Sequence, residues 1–181
     1  MKKYDPLATI KKRKKIKTKY NPKGIKASEG QEKAYKLLWG AMNASIAAIQ
    51  LGEALKNTKI YNDETYRKIC TAFALGAVDC FGQLNRLREE EIIELVLSFI
   101  QSRYKEFSKE EQDHLFDWLI KNYVQKDVLE VKQAGGDFAL QFYKVDVKRP
   151  IALFGAIFKH KNKYVFKENF KSKKKKLFGI F

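Results

Sequence analysis

Residues of the types that catalyse reactions are few and scattered in this sequence. His114 stands beside Asp113 and three residues before Asp117, an arrangement that could orient an imidazole for proton transfer. No nucleophile accompanies it in a recognisable motif. The chain has no Gly-x-Ser-x-Gly elbow, no phosphate-binding glycine loop ending in Lys-Ser or Lys-Thr, and no His-Glu-x-x-His zinc helix. We therefore predict that the protein is not an enzyme and has neither a cofactor nor a small-molecule substrate.

The cysteines and histidines do not have the spacing of a metal site. Cys70 and Cys80 are ten residues apart on one predicted helix, about 15 Å along its axis, and both fall on an apolar stripe. They are predicted to be buried structural thiols. His160 lies among lysines and is predicted to contribute to a basic surface. Because the two histidines are far apart and no cysteine or aspartate cluster accompanies them, no metal site is predicted.

Two further features suggest chemistry. Glu53 and Asp79 are acids among small and apolar residues. Paired across the fold they could bind a cation or exchange a proton, although exposure or pairing with basic neighbours is favoured.

Residues 135–140, Gly-Gly-Asp-Phe-Ala-Leu, resemble the signature loop of diguanylate cyclases. One acidic position of that signature is absent, as is the upstream nucleotide-binding pattern. The glycine pair is therefore predicted to allow close backbone approach instead.

Positive charge is concentrated in the two ends of the 181-residue chain. Residues 1–26 carry 11 lysines and arginines against 1 acid, residues 27–137 carry 14 against 18, and residues 138–181 carry 12 against 2, which gives the net charge of +16. We interpret these three segments as a basic N-terminal arm, a helical domain and a basic aromatic C-terminal extension. Like-charge blocks of this kind are typical of segments that bind an anionic partner.

Lysine and aromatic residues alternate in the C-terminal extension, a combination suited to unpaired bases and their phosphates. The sequence predicts a non-catalytic nucleic-acid-binding accessory protein, with RNA slightly favoured over DNA, located in the cytoplasm, or in the nucleus of a eukaryote. If the aromatic residues pack on the helices instead, only the lysines would reach the ligand. The predicted binding residues are Lys11, Lys12, Arg13, Lys14, Lys15, Lys17, Lys19, Lys161, Lys163, Tyr164, Phe166, Lys167, Phe170, Lys173, Lys174, Lys175 and Lys176.

Two alternative partners remain open. The lysines at 173–176 are followed by the apolar residues Leu177, Phe178, Ile180 and Phe181, a pattern that could attract anionic lipid and insert an apolar tip into a membrane surface. Alternatively, the chain is a protein-binding adaptor. Its helical bundle would then recognise a partner protein, and its basic tails would dock on an acidic surface. The longest apolar stretch, residues 151–158, is too short to span a bilayer, and no signal peptide is recognised, so we expect a soluble, unexported protein.

The elements that must position these residues are mostly helical. Helical spacing of apolar residues predicts four helices, beginning near Ser28, Asn62, Glu89 and Ser108, with capping-box spacing at Ser28 and Ser108. The first, apolar almost all round between residues 37 and 51, is expected to be the central helix. Short connections predict a compact bundle of four to five antiparallel helices.

The region after Asp127 is ambiguous. Helical spacing slightly favours a fifth helix, although Gly135 and Gly136 could equally form a turn between strands. Beyond Pro150, largely irregular structure is expected, with a short β-hairpin turning at Lys161 and Asn162 as one option.

Overall fold

The computed structural model describes residues 28–51, 63–144 and 151–167. These residues form six α-helices and one 3₁₀ turn and contain no strand, so the mainly helical class is confirmed. The elements are α1 (Glu29–Leu51), α2 (Glu64–Leu84), α3 (Glu89–Arg103), α4 (Lys109–Asn122), α5 (Lys126–Tyr143), α6 (Ala152–His160) and the 3₁₀ turn (Tyr164–Phe166).

The helix starts follow from local sequence. Ser28 Oγ accepts a hydrogen bond from the Gln31 backbone N–H at 3.2 Å, and the Gln31 side chain accepts one from the Ser28 N–H at 2.9 Å. Ser108 and Glu111 form the same reciprocal capping box before α4. Asp63 rather than Asn62 caps α2, because its carboxylate accepts from the Tyr66 N–H. These side chains satisfy backbone donors that have no partner within the helix.

Helix α2, not α1 as predicted, is the central helix. Thirteen of its 21 residues are buried, and it contacts every other described helix and the 3₁₀ turn. Its sequence explains this position, since Ala72, Ala74, Gly76 and Ala77 keep much of its circumference narrow enough for close neighbours. Helix α1 does bury Leu38, Met42 and similar residues, but several of its central positions are exposed.

Helices α2 and α5 make the most extensive contact in the described part of the fold. A Cβ atom added at Gly76 would lie 1.8 Å from the Lys132 carbonyl oxygen, and one added at Gly135 would lie 2.0 Å from the Phe73 carbonyl oxygen. The two backbones therefore touch where neither residue has a side chain. This confirms the close approach predicted for the glycine pair. The cyclase-like residues lie inside a helix, and no strand follows them within residues 151–167, the only later part of the chain that the structure describes.

The chain after Pro150 continues the same core. Within residues 151–167, the optional β-hairpin is wrong, because α6 and the 3₁₀ turn occupy this segment. Leu153, Ala156, Ile157 and His160 are buried at the spacing of one helical face. Helix α5 also runs through the expected domain boundary between residues 137 and 138 without a break. None of the described helices is both long enough and apolar enough to cross a membrane.

Candidate functional site

An exposed surface of lysines and aromatic rings lies at the end of α6 and on the turn that follows. We call Phe158, Lys161, Lys163, Tyr164 and Lys167 the basic–aromatic surface. Phe158 is 69% exposed and Tyr164 is 73% exposed, which is unusual for such large rings. The Phe154 ring stacks against Phe158 at a centroid distance of 6.4 Å, and the Lys161 ammonium lies 5.7 Å from the Phe158 centroid.

This surface is held in place by its neighbour in the chain, Phe166. The Phe166 side chain is 0% exposed and packs between the rings of Trp118, at 5.6 Å, and His160, at 6.0 Å. The Trp118 indole N–H also donates a hydrogen bond of 3.1 Å to the Val165 carbonyl. Phe166 was predicted to stack on bases. That prediction is wrong in this structure, because the ring belongs to the hydrophobic core.

Some lysines near this surface have acidic partners on α5. The Lys159 ammonium lies 2.8 Å from Glu130 Oε2, and the Lys163 ammonium lies 3.4 Å from Asp127 Oδ1. Lys163, a predicted phosphate contact, is thus partly neutralised. Lys161 faces a ring, and Lys167 is exposed at the end of the turn.

The remaining predicted binding residues lie outside the described residues. They are Lys11, Lys12, Arg13, Lys14, Lys15, Lys17, Lys19, Phe170, Lys173, Lys174, Lys175 and Lys176. Of the set predicted from the sequence, the structure therefore brings together Lys161, Lys163, Tyr164 and Lys167, and it adds Phe158, which is not among the predicted binding residues.

A second group of side chains meets beneath this surface. Asp127, Glu130 and His160 form what we call the acid–histidine cluster, in which one donor atom from each residue lies within 4.8 Å of the others. His160 Nδ1 is 3.6 Å from Asp127 Oδ1, and His160 Nε2 is 3.5 Å from Glu130 Oε2. His160 is only 2% exposed. The prediction that it contributes to a basic surface is therefore wrong.

The electrostatics of the cluster follow from burial and from the two lysines. Burial lowers the pKa of His160, with Lys159 as the next contribution, and the nearby carboxylates oppose this shift. The imidazole is consequently neutral at neutral pH, with one ring nitrogen carrying a lone pair. The hydrogen bond from Lys159 lowers the pKa of Glu130, which stays ionised.

The sequence contains one signal for this cluster. Asp127 and Glu130 are three residues apart and so share a face of α5. His160 is 30 residues further along, and it reaches this face only because α6 packs on α5.

The other candidate residues behave as ordinary structural groups. Asp79 pairs with Lys132 at 2.7 Å, as favoured from the sequence, whereas Glu53 lies outside the described residues. Cys70 is buried as predicted, and burial raises the pKa of its thiol to about 12. Cys80 is only partly buried, and it lines a cleft between α2 and α5 together with exposed side chains such as Leu84 and Leu140.

Within the described residues, the fold and surface define a helical domain with a basic, aromatic surface at the end of α6. No protein-family model, no curated protein and no solved structure matches the chain.

Proposed function

We propose that the chain is a non-catalytic nucleic-acid-binding accessory protein that prefers single-stranded RNA. Its lysine-rich termini contact phosphates, and Phe158 and Tyr164 stack on unpaired bases. The observation that carries this proposal is the pair of highly exposed rings beside lysines on the basic–aromatic surface. This surface lies directly before the C-terminal lysine run in the sequence.

The distribution of charge among the described residues also favours binding at α6 and the turn that follows it. Residues 28–51 and 63–144 together carry 13 lysines and arginines against 17 acids, whereas residues 151–167 carry four lysines and no acid. A polyanion is therefore repelled by most of the body and attracted to α6 and the turn. Positive charge that is concentrated on one side raises the local concentration of an anionic ligand.

The types of side chain favour RNA in single-stranded form. Aromatic faces stack on bases of any sequence, and lysine ammonium groups contact phosphates without a fixed geometry. Arginine, the usual reader of guanine edges in a duplex, is rare in this chain, with 6 arginines against 31 lysines. The expected binding is thus strong but only weakly sequence-specific.

The test is fluorescence anisotropy of a labelled oligouridine with the full-length chain and its variants. Affinity should fall steeply with salt, with a log–log slope of about 0.7 per phosphate neutralised. Phe158→Ala and Tyr164→Ala should each weaken binding by roughly five- to 150-fold, the range measured for loss of one stacked base. Both side chains are exposed, so neither substitution should reduce stability appreciably.

Tyr143→Ala is the matched control. This tyrosine is also exposed, but it lies far from the basic–aromatic surface. It is 16 residues beyond Asp127 on α5, and therefore about 24 Å along the helix from the residue that pairs with Lys163. Its removal should leave RNA affinity unchanged. Heparin provides a second control, because it carries dense negative charge but no bases. Phe158→Ala and Tyr164→Ala should not affect heparin binding.

Two results would contradict the proposal. A flat salt response would exclude phosphate contact. An unchanged RNA affinity in both ring variants, together with tight binding to vesicles containing anionic lipid, would favour the membrane-surface alternative. Glutamine in place of the lysines at 11–15 and 173–176, in the full-length chain, tests the termini and should reduce the salt slope.

A further inference from the structure

We infer that Asp127, Glu130 and His160 form a binding site for a divalent transition-metal ion of the Zn²⁺ class. The inference is independent of the nucleic-acid proposal, because it uses different side chains. Three donor atoms converge from two helices, and each donor is of a type that Zn²⁺ binds in proteins.

The state of His160 is the observation that points to a ligand. Its side chain is 3% exposed, and its Nδ1 atom is buried with no hydrogen-bond partner among the described residues. Buried polar atoms in native proteins are almost always satisfied, so an unsatisfied one requires an explanation. The unpartnered Nδ1 atom faces Asp127, and Nε2 faces Glu130. A metal ion bound by the ring and both acids would explain its burial.

The distances are close to those of a coordinated ion. Donors around tetrahedral Zn²⁺ lie about 2.0–2.2 Å from the metal, and therefore roughly 3.4 Å from one another. With the unpartnered Nδ1 atom of His160 as the ligand, its distance of 3.6 Å to Asp127 Oδ1 already approaches this value, whereas the 3.5 Å contact to Glu130 is made by the other ring nitrogen, Nε2. The widest separation, within 4.8 Å, requires a modest rotation of the carboxylates. Both acids are only partly buried, so their side chains can move.

The fold supplies both rigidity and access. Asp127 and Glu130 lie in the first two turns of α5, and His160 is the last residue of α6, so all three are fixed on helices. A cleft of about 330 Å³ borders Glu130, Lys159 and His160 and provides a route from solvent. With three protein ligands, at least one coordination position would be left for water, as in open zinc sites.

Two lysines compete with the ion for the carboxylates. Lys159 pairs with Glu130, and Lys163 pairs with Asp127, so a metal must displace both ammonium groups. Lys159 is largely exposed and can move into solvent. The lysines should therefore lower the affinity for Zn²⁺ without preventing binding. Removing one of them should then raise that affinity.

The experiment is a Zn²⁺ titration of the tag-free, chelator-treated, full-length chain, followed by calorimetry and by ¹H–¹⁵N spectra of the imidazole rings. The chain has 2 histidines, so each ring can be assigned by substitution. Zn²⁺ should shift the ring nitrogens of His160 and not those of His114. His160→Gln, Asp127→Asn and Glu130→Gln should each weaken binding at least tenfold, and His114→Gln is the matched control that should bind normally.

A second variant distinguishes this site from adventitious binding. Lys159→Gln removes a positive charge beside the ion and frees Glu130, so Zn²⁺ affinity should increase by about tenfold. A surface site elsewhere would not respond. If His160→Gln fails to fold, Asp127→Asn and Glu130→Gln still decide the matter, because both positions are partly exposed. Equal shifts of both histidine rings, or unchanged affinity in the two carboxylate variants, would overturn the inference.

Discussion

The contact between α2 and α5 gives the sharpest stability prediction, through the substitution Gly135→Ala. The added methyl group would lie 2.0 Å from the Phe73 carbonyl oxygen, whereas ordinary contact begins at 3.4 Å. The two helices must therefore separate by about 1.4 Å, the difference between these values. Because the obstacle is backbone, no side-chain rotation can relieve it. The Phe73 and Phe138 rings, 5.8 Å apart across this contact, would lose packing.

The expected cost is large for one methyl group. Overpacking of a core usually costs about 1–3 kcal/mol and occasionally more. Alanine also gains about 1 kcal/mol over glycine in helix propensity, which offsets part of the loss. With a backbone clash on this scale, we expect a net loss of about 3 kcal/mol in the free energy of unfolding. For a domain of this size, this corresponds to a fall in Tm of roughly 6–12 °C.

The adjacent residue supplies the matched control. A Cβ atom at Gly136 would meet its nearest neighbour, the Gly76 carbonyl oxygen, at 3.5 Å, which is ordinary contact. Gly136→Ala should therefore stabilise the protein by up to about 1 kcal/mol, and so should Gly155→Ala on α6, where nothing lies within 4 Å. Thermal and urea unfolding, monitored by circular dichroism, measure all three. Equal effects of Gly135→Ala and Gly136→Ala would refute the predicted close contact of α2 with α5.

Three further predictions concern side chains outside the proposed sites. Lys68 is 1% exposed, pairs with Glu64 at 3.1 Å and lies over the Trp118 ring. Lys68→Ala should therefore lower the free energy of unfolding by about 2–3 kcal/mol, as measured by urea unfolding, and Lys68→Met, which keeps most of the packing, should lower it clearly less. In the native protein at neutral pH, a thiol reagent should modify Cys80 but not Cys70, because Cys70 is buried and burial raises the pKa of its thiol. In urea, both cysteines should react. Ser108→Ala removes the α4 cap and should cost about 1 kcal/mol, whereas unchanged stability would contradict the capping box.

Much of the fold could be predicted from local patterns. The capping boxes at Ser28 and Ser108 and the acidic first turn at Glu89 are short-range interactions, so the sequence was sufficient to locate α1, α3 and α4. The weak preference for a helix after Asp127 was also confirmed. The optional hairpin was wrong because a short apolar run suits a strand or a buried helix equally, and packing on the core decided between them.

The sequence by itself determined the helical class, the helix starts and the concentration of charge at the ends, since these depend on neighbouring residues or on composition alone. Only the tertiary structure decided which side chains are exposed to solvent and which are buried. It turned Tyr164 outward and Phe166 inward within three residues, and it brought His160 to Asp127 and Glu130. The physical reason is that burial is set by which helices pack together, and α2 became central because its small residues allow the backbone of α5 to touch it.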